Sequence, residues 1–367
     1  MAEVEHETLD IPSEGLTIRK ALSMDIGGSL TKIVYTSDEG DKIKLHFMSY
    51  PRPQTKDAIR QLRDKIDVRQ EDGVVINTCG VGFQEYGDYL RQELNVTVKV
   101  NEELNCFIEG FHYMMNHVPL EDLLYQDAEG FNLVIHQVAT LIAGGVNSFS
   151  GRGKHWEVAK DEQVGDQKVQ YPILLCMLGS GGCSMKMEAD GSFKVCQQYT
   201  RCGRTILGLA NLLVGTKTFP ELIDLATKGD GSQLHIQAKH LLSGAGDVYD
   251  KIPGDFMVYS FGQAASKDRE NFSKEDIAAA LVGMLAEDMA QTCHLTAASH
   301  NISHIFLCGS VVGASPYIRQ HMKMVLSVKD ILNSLSKRYH SYFLKFGGYY
   351  GAIGALLKTL KPNGDYK

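Results

Sequence analysis

The sequence predicts an α/β protein of two domains. Three observations predict it. The chain has 367 residues, enough for two ordinary domains. A short apolar run ending in a glycine turn occurs twice, at residues 21–28 and again at 171–182. After each turn come two further short β-type segments and then stretches of helical spacing.

In the first half, residues 21–26 read as a buried strand that ends in Gly27-Gly28. Residues 32–35 and 42–48 continue the β pattern, with Ser37-Asp-Glu-Gly40 as the turn between them, giving a three-stranded antiparallel start. Residues 55–66 have helical spacing. Residues 74–77 form a strand, followed by Cys79-Gly-Val-Gly82 and a helix; residues 96–100 form another strand, and 102–115 are helical again.

The second half repeats the opening. Residues 171–178 are a strand, Gly179-Ser-Gly-Gly182 the turn, and 184–187 the second strand. Asp190-Gly191 is a hairpin signal before a third strand at 193–196. Helices dominate residues 205–242. Ser273 and Asp276 have the spacing of a capping box at the head of a long helix, with Ile277, Leu281, Met284 and Leu285 on one face. A strand at 304–308 ends in Gly309, a helix follows at 315–325, a strand at 342–346, and a Gly/Ala-rich helix from 350 closes the chain. The expected organisation is a flexible tail at 1–18, a first domain at 19–147, a linker or loop at 148–170, and a second domain at 171–367.

The composition is 44% hydrophobic and 22% charged, an ordinary globular mix. The formal net charge of −7 lacks the basic excess of a general nucleic-acid binder. The first 18 residues are acidic and polar, unlike a secretory leader. The most apolar stretch, 131–146, contains His136 and Gln137 and is too short and polar for a membrane span. None of the eight cysteines forms a Cys-x-x-Cys pair, so free thiols in a reducing, cytoplasmic compartment are expected. His300 and His304 are four apart but lack the Glu of a metalloprotease motif, and they read as surface or satisfied histidines.

Four segments carry chemistry. In Asp25-Ile-Gly-Gly-Ser-Leu-Thr-Lys32, the absence of Cβ at Gly27 and Gly28 lets backbone N–H groups approach phosphate oxygens. Ser29 adds a hydroxyl, Lys32 a charge, and Asp25 a carboxylate able to hold Mg²⁺ through water. Gly179-Ser180-Gly181 repeats that logic in the second half, followed by Gly182, Cys183 and Ser184. The pairing favours a polyphosphate ligand, and neither a Walker A loop nor a dinucleotide fingerprint is present. Cys308-Gly309-Ser-Val-Val-Gly313 is a strand end where a nucleoside can lie against backbone. Glu102 and Glu103 open a helix, where one carboxylate suits a cap and the other a general base; residue chemistry alone leaves open which is which.

These segments are similar to those of the eukaryotic-type pantothenate kinases, of the acetate kinase, sugar kinase, Hsp70 and actin superfamily. The resemblance runs over roughly residues 20–360 through residues 24–35, Glu103-Leu-Asn-Cys106, Leu178-Gly-Ser-Gly181, residues 222–229, Ser260-Phe-Gly262 and Gly348-Tyr-Tyr-Gly-Ala-Ile-Gly-Ala355. It implies a two-domain actin-like ATPase (ribonuclease H-like) fold with ATP in the interdomain cleft. It implies transfer of the ATP γ-phosphate to the 4′-hydroxyl of pantothenate, the first step of coenzyme A synthesis, with Mg²⁺ as cofactor, in a homodimer under feedback inhibition by acyl-CoA. It assigns the base to Glu103, and ATP phosphates to the turns at 25–32 and 179–181; Gly309, from its place at the strand end, is the residue expected beside the nucleotide.

The chain departs from that family at two positions and in the segment that follows them. Where the family has a serine two residues after Gly-Ser-Gly, Cys183 stands here, with Ser184 next. Where the family has a substrate-holding arginine, Val195 stands here. The segment after it reads Gln198-Tyr-Thr-Arg-Cys-Gly-Arg-Thr205, so Arg201, Arg204 or Lys194 is expected to take the arginine's place. Loss of such an arginine costs powers of ten in phosphoryl transfer. The alternative reading is therefore a catalytically impaired relative that binds nucleotide or acyl-CoA as a regulator.

Overall fold

The computed structural model describes residues 7–12, 21–40, 42–65, 75–126, 169–241, 254, 256–333 and 339–360. They divide into two compact units, Met1–Leu123 with Phe346–Lys367, and Leu124–Lys345. The strands are β1 (Glu7–Pro12), β2 (Leu22–Ile26), β3 (Leu30–Asp38), β4 (Lys42–Pro51), β5 (Val75–Cys79), β6 (Thr97–Val100), β7 (Ile173–Leu178), β8 (Gly182–Met187), β9 (Phe193–Tyr199), β10 (Ile236–Gln237), β11 (Met257–Tyr259), β12 (His304–Cys308) and β13 (His340–Phe343). The longer helices are α1 (Thr55–Lys65), α2 (Phe83–Leu94), α3 (Glu103–His117), α4 (Gly203–Val214), α5 (Phe219–Ala226), α6 (Lys274–Ser299), α7 (Pro316–Asn333) and α8 (Tyr350–Leu360).

The first unit is built on a six-stranded sheet in the order β1-β4-β3-β2-β5-β6. β2 is antiparallel to β3 and parallel to β5, and β5 is parallel to β6. The second unit carries the sheet β13-β12-β7-β8-β9. There β7 is antiparallel to β8 and parallel to β12, and β12 is parallel to β13. Three antiparallel strands flanked by two parallel ones, in the same order in both units, is the ribonuclease H-like topology of the actin-like ATPases. The expected fold class is therefore the observed one. β10 and β11 form a separate two-stranded sheet.

Every residue of β2 is buried, as befits a central strand covered on both faces. On one face Met24 and Ile26 join Ile59 and Leu62 of α1 and Tyr86 and Leu90 of α2 in a single core. On the other face lie α3 and α8. Ser23 Oγ donates to Ala352 O at 2.6 Å, and Asn77 Nδ2 donates to Thr359 Oγ1 at 2.8 Å, so α8 is bonded to β2 and β5. Residues 346–360, expected in the second domain, thus belong to the first unit.

Other boundaries also shift. Glu7–Pro12, expected inside a flexible tail, pair antiparallel with β4 and bury Ile11. The alternation Leu9-Asp10-Ile11 supports an edge strand that the acidic composition around it obscures. The strand expected at 342–346 lies at His340–Phe343. The expected linker at 148–170 falls outside the described residues except for 169 and 170.

In the second unit α6 is the core. Ser273 and Asp276 form the capping box foreseen from sequence, at 3.0 and 3.4 Å. Asp276 Oδ1 also accepts from Asp230 N at 2.7 Å. The helix is buried on most sides, with alanines at 278, 279, 280, 286, 290 and 297 letting neighbours approach, so it is a core helix and not a one-faced amphipathic one. All eight cysteines are free, six of them buried. His304 is buried with Nδ1 3.2 Å from the Tyr342 hydroxyl. Among the described residues no single helix is long and apolar enough to cross a membrane.

His235 ties the β10 region to this core. Its Nδ1 accepts from Phe261 N at 3.1 Å, which requires the neutral ring. Burial, aided by nearby His321 and opposed by Asp230, lowers its pKa from the usual 6.5 to about 4. The unfolded chain therefore binds more protons than the folded one between those values. Stability should rise with pH across that window and fall as pH drops toward 4, by roughly 3 kcal/mol for this residue. Urea midpoints measured from pH 4 to 7 should show that slope in the wild type and a shallower one in His235→Gln, whose amide oxygen accepts the same N–H. An unchanged slope contradicts the assignment.

Candidate active site

The first glycine turn closes on the Gly27 N–H donating to Leu30 O at 2.9 Å. The turn sets Asp25 and Lys32 directly opposite one another in the β2–β3 register. Lys32 Nζ meets Asp25 Oδ2 at 3.2 Å. Burial alone would discharge the lysine, but the charge and hydrogen bond of Asp25 outweigh it and raise the Lys32 pKa. Gly27 and Gly28 are partly exposed, and Ser29 is exposed, its carbonyl accepting from Arg52 N at 2.8 Å.

The other oxygen of Asp25 differs. Oδ1 is buried and has no hydrogen-bond partner. A buried carboxylate oxygen left bare is costly unless a ligand satisfies it. Gly80, at φ +93°, faces it: a Cβ there would lie 2.6 Å from Oδ1 and 2.5 Å from Ile26 O. Among the described residues no group of three or more His, Cys, Asp or Glu is placed to hold a metal. One bare carboxylate oxygen suits Mg²⁺, which keeps several waters and takes few protein ligands.

Glu102 and Glu103, which residue chemistry alone does not tell apart, differ in their part in the cap. Glu102 is the N-cap of α3, and its carboxylate accepts from Leu104 N at 3.0 Å and Asn105 N at 2.6 Å. Glu103 takes no part in the cap. Its surface is exposed, yet the surrounding protein desolvates its carboxylate and pushes its pKa up. Asp25 and Glu102 push the same way and Lys32 opposes them. Glu103, Asp25 and Lys32 thus sense one another electrostatically, and Glu103 has the raised basicity of a general base.

Two cysteines lie among these charges. Cys79 ends β5, and buried Cys106 is on α3; with Ala355 of α8 they form a small cluster. A hydrogen bond to Cys106, then burial, then the charges of Asp25 and Glu103 hold the Cys79 thiol neutral. In the sequence Cys106 stands only within a motif and Cys79 only at the start of a turn. Their burial beside the carboxylates follows from β5 lying parallel to β2.

In the second unit the Gly179 N–H donates to Gly181 O at 2.8 Å. The turn is bonded to the start of α4: Gly203 N donates to Gly179 O at 3.0 Å, Arg204 N to Ser180 O at 2.9 Å, and Cys202 Sγ to Gly179 O at 3.1 Å. Gly309, at φ +104°, touches the same strand end, where a Cβ would lie 2.5 Å from Leu178 O. The structure therefore gathers Gly179, Ser180, Gly181 and Gly309 at the end of β7.

The expected substrate residues divide. Cys183 is half-buried. Ser184 is fully buried, bonded to Cys176 Sγ at 3.2 Å and to the Tyr199 hydroxyl. It points into the core because strand alternation sends it opposite to Cys183, so its expected substrate contact is withdrawn. Arg201 pairs with Asp288 at 2.9 Å on the surface. Lys194 and Arg204 are exposed, and Val195 is 38% exposed on β9. Of the three basic candidates, Arg204 is the one whose backbone is bonded to the glycine turn.

The sequence matches the Fumble family over residues 21–358. The chain belongs to that family. Among curated relatives it is 27% identical over 372 residues to the 4'-phosphopantetheine phosphatase of Mus musculus, covering 92% of this chain and 41% of that protein. It is 25% identical over 357 residues to pantothenate kinase 1 of Arabidopsis thaliana, covering 91% of this chain and 84% of the relative. The chain thus spans less than half of the mouse protein's length. Among solved structures, a ROK family glucokinase from Streptomyces griseus in complex with glucose and AMPPNP is 13% identical with a TM-score of 0.41, covering 92% of this chain and 98% of that one. The Fumble family match agrees with the resemblance to pantothenate kinases read from the motifs.

The electrostatic coupling gives a direct expectation. In ¹³C-glutamate NMR titrations Glu103 should titrate above an ordinary glutamate. Lys32→Met should move it further up, and Asp25→Asn should move it down. Glu103 titrating at the ordinary value in all three proteins would refute the coupling.

Proposed function

We propose that the chain is an ATP-dependent kinase that phosphorylates the 4′-hydroxyl of pantothenate, the first step toward coenzyme A. The observation that carries this reading is the bare Oδ1 of buried Asp25, in the same unit as an uncapped, raised-pKa Glu103. Family membership supports the acceptor, through relatives named pantothenate kinase.

On this reading Glu103 accepts the proton from the acceptor hydroxyl as the oxygen attacks the γ-phosphorus of ATP, whose bond to the β,γ-bridging oxygen breaks to release ADP. The raised pKa makes its carboxylate a better proton acceptor. Lys32 and the N–H groups of the Gly27–Gly28 turn meet phosphate charge. Asp25 Oδ1 would hold Mg²⁺, which supplies charge neutralisation at the phosphates when bound. Lys32, by occupying Oδ2, leaves only Oδ1 for that role. The Gly179–Gly181 turn is a second phosphate-binding element, and Arg204 beside it stands in for the arginine replaced by Val195. Localisation in the cytoplasm, dimerisation and inhibition by acyl-CoA are further parts of the proposal, carried by the resemblance.

A second reading has its own observation. Val195 places no charge where the related kinases have one, and the mouse relative bears a phosphatase name. It makes the chain a nucleotide or acyl-CoA binder without turnover. A coupled assay of ADP release with ATP, Mg²⁺ and pantothenate separates the two. Wild type should turn over, and Glu103→Gln should lose about 10²- to 10⁴-fold in kcat with a small change in KM for ATP. Nucleotide binding without pantothenate-dependent turnover in the wild type favours the second reading.

A further inference from the structure

The C-terminal helix reaches the candidate metal carboxylate through one glycine. A Cβ on Gly351 would lie 3.2 Å from Asp25 Oδ2 and 3.3 Å from Cys79 Sγ. Gly80 bounds the carboxylate at Oδ1, where a Cβ would lie 2.6 Å away. Asp25 is 4% exposed, and its Oδ1 has no partner. Two glycines, one on each oxygen, therefore leave the carboxylate little freedom besides the position in which Lys32 holds Oδ2.

Helix α8 has no slack to absorb a side chain at 351. Ala352 O, the next residue along, accepts from Ser23 Oγ on β2. Thr359 is bonded to Asn77 on β5, and Lys358 to Glu109 on α3 at 2.7 Å. On the α3 side the two helices are already in backbone contact. A Cβ on Gly354 would lie 1.8 Å from Cys106 O, and one on Gly110 would lie 2.1 Å from Tyr350 O. Steric relief at 351 must then come from the Asp25 carboxylate and the Cys79 thiol, the side chains that meet it.

We propose that Gly351 is a positioning residue for Asp25: its bare backbone, opposed by Gly80, keeps the carboxylate oriented so that Oδ1 stays free for Mg²⁺ on a bound nucleotide. The role rests on the kinase reading above. It acts through Asp25 and touches neither nucleotide nor acceptor. Gly354, three residues on, meets the α3 backbone at Cys106, so its glycine serves helix packing.

The two roles separate in calorimetric titrations of ADP with and without Mg²⁺, read together with melting temperatures. In the wild type Mg²⁺ should strengthen ADP binding. Gly351→Ala should shrink that Mg²⁺-dependent gain about 10-fold or more, with metal-free ADP affinity within about twofold and a melting temperature within a few degrees. Gly354→Ala, whose Cβ meets backbone, should instead lower the melting temperature. If Gly351→Ala melts far below the wild type, the double variant Cys79→Ala/Gly351→Ala carries the test: it removes the thiol contact and keeps the carboxylate contact, so the loss of the Mg²⁺ gain should persist. A variant with the full wild-type Mg²⁺ gain overturns the positioning role alone. A wild type that gains nothing from Mg²⁺ overturns the reading of Asp25 as a metal residue and takes the positioning role with it.

Discussion

Asp25 and Lys32 face each other across β2 and β3, and the chemistry of the first unit depends on that pair. A lone buried carboxylate would take up a proton, and a lone buried lysine would lose one. Asp25, by its charge and its hydrogen bond, raises the Lys32 pKa against that burial. Because the lysine approaches one oxygen only, the pair leaves a negative, buried and unsatisfied oxygen at the end of a central strand. That oxygen is costly to leave bare, and a ligand would satisfy it. Glu103 reads both partners of the pair, raised by Asp25 and lowered by Lys32.

The environment of the pair is assembled from distant parts of the chain. β2 supplies the carboxylate, β3 the lysine, β5 the Cys79–Gly80 corner, and α3 Glu103. Helix α8 closes the group from the far end of the sequence, bonded to β2 and β5 and in backbone contact with α3. Glycines at 110, 351 and 354 permit that approach, since a Cβ at any of them would meet backbone or the carboxylate at 3.2 Å or less.

Much of this was legible in the sequence where the signal is local. Asp25 and Lys32 are seven residues apart around a glycine turn, which in a hairpin makes them cross-strand neighbours. The repeated turn announced two similar sheets, and Ser273 with Asp276 announced the cap of α6. The illegible parts depend on tertiary context. Nothing local says that residues 346–360 return to the first unit, or that Cys79 and Cys106 meet beside two carboxylates. Ser184 read as a substrate hydroxyl because its neighbours match a motif, while strand alternation turns it into the core. Residue chemistry alone does not separate Glu102 from Glu103; the cap shows which carboxylate is spent on backbone N–H groups.

The Fumble family match and the bare oxygen of Asp25 converge on phosphate chemistry from independent directions. The direct measurement is ³¹P NMR of the purified chain with ATP, Mg²⁺ and pantothenate, run beside Asp25→Asn. The wild type should give a new phosphomonoester resonance as the γ-phosphate signal decays, and Asp25→Asn, isosteric but without the charge that holds Lys32 and a cation, should give none on the same timescale. Product formation by Asp25→Asn at the wild-type rate would contradict the central role of the Asp25–Lys32 pair.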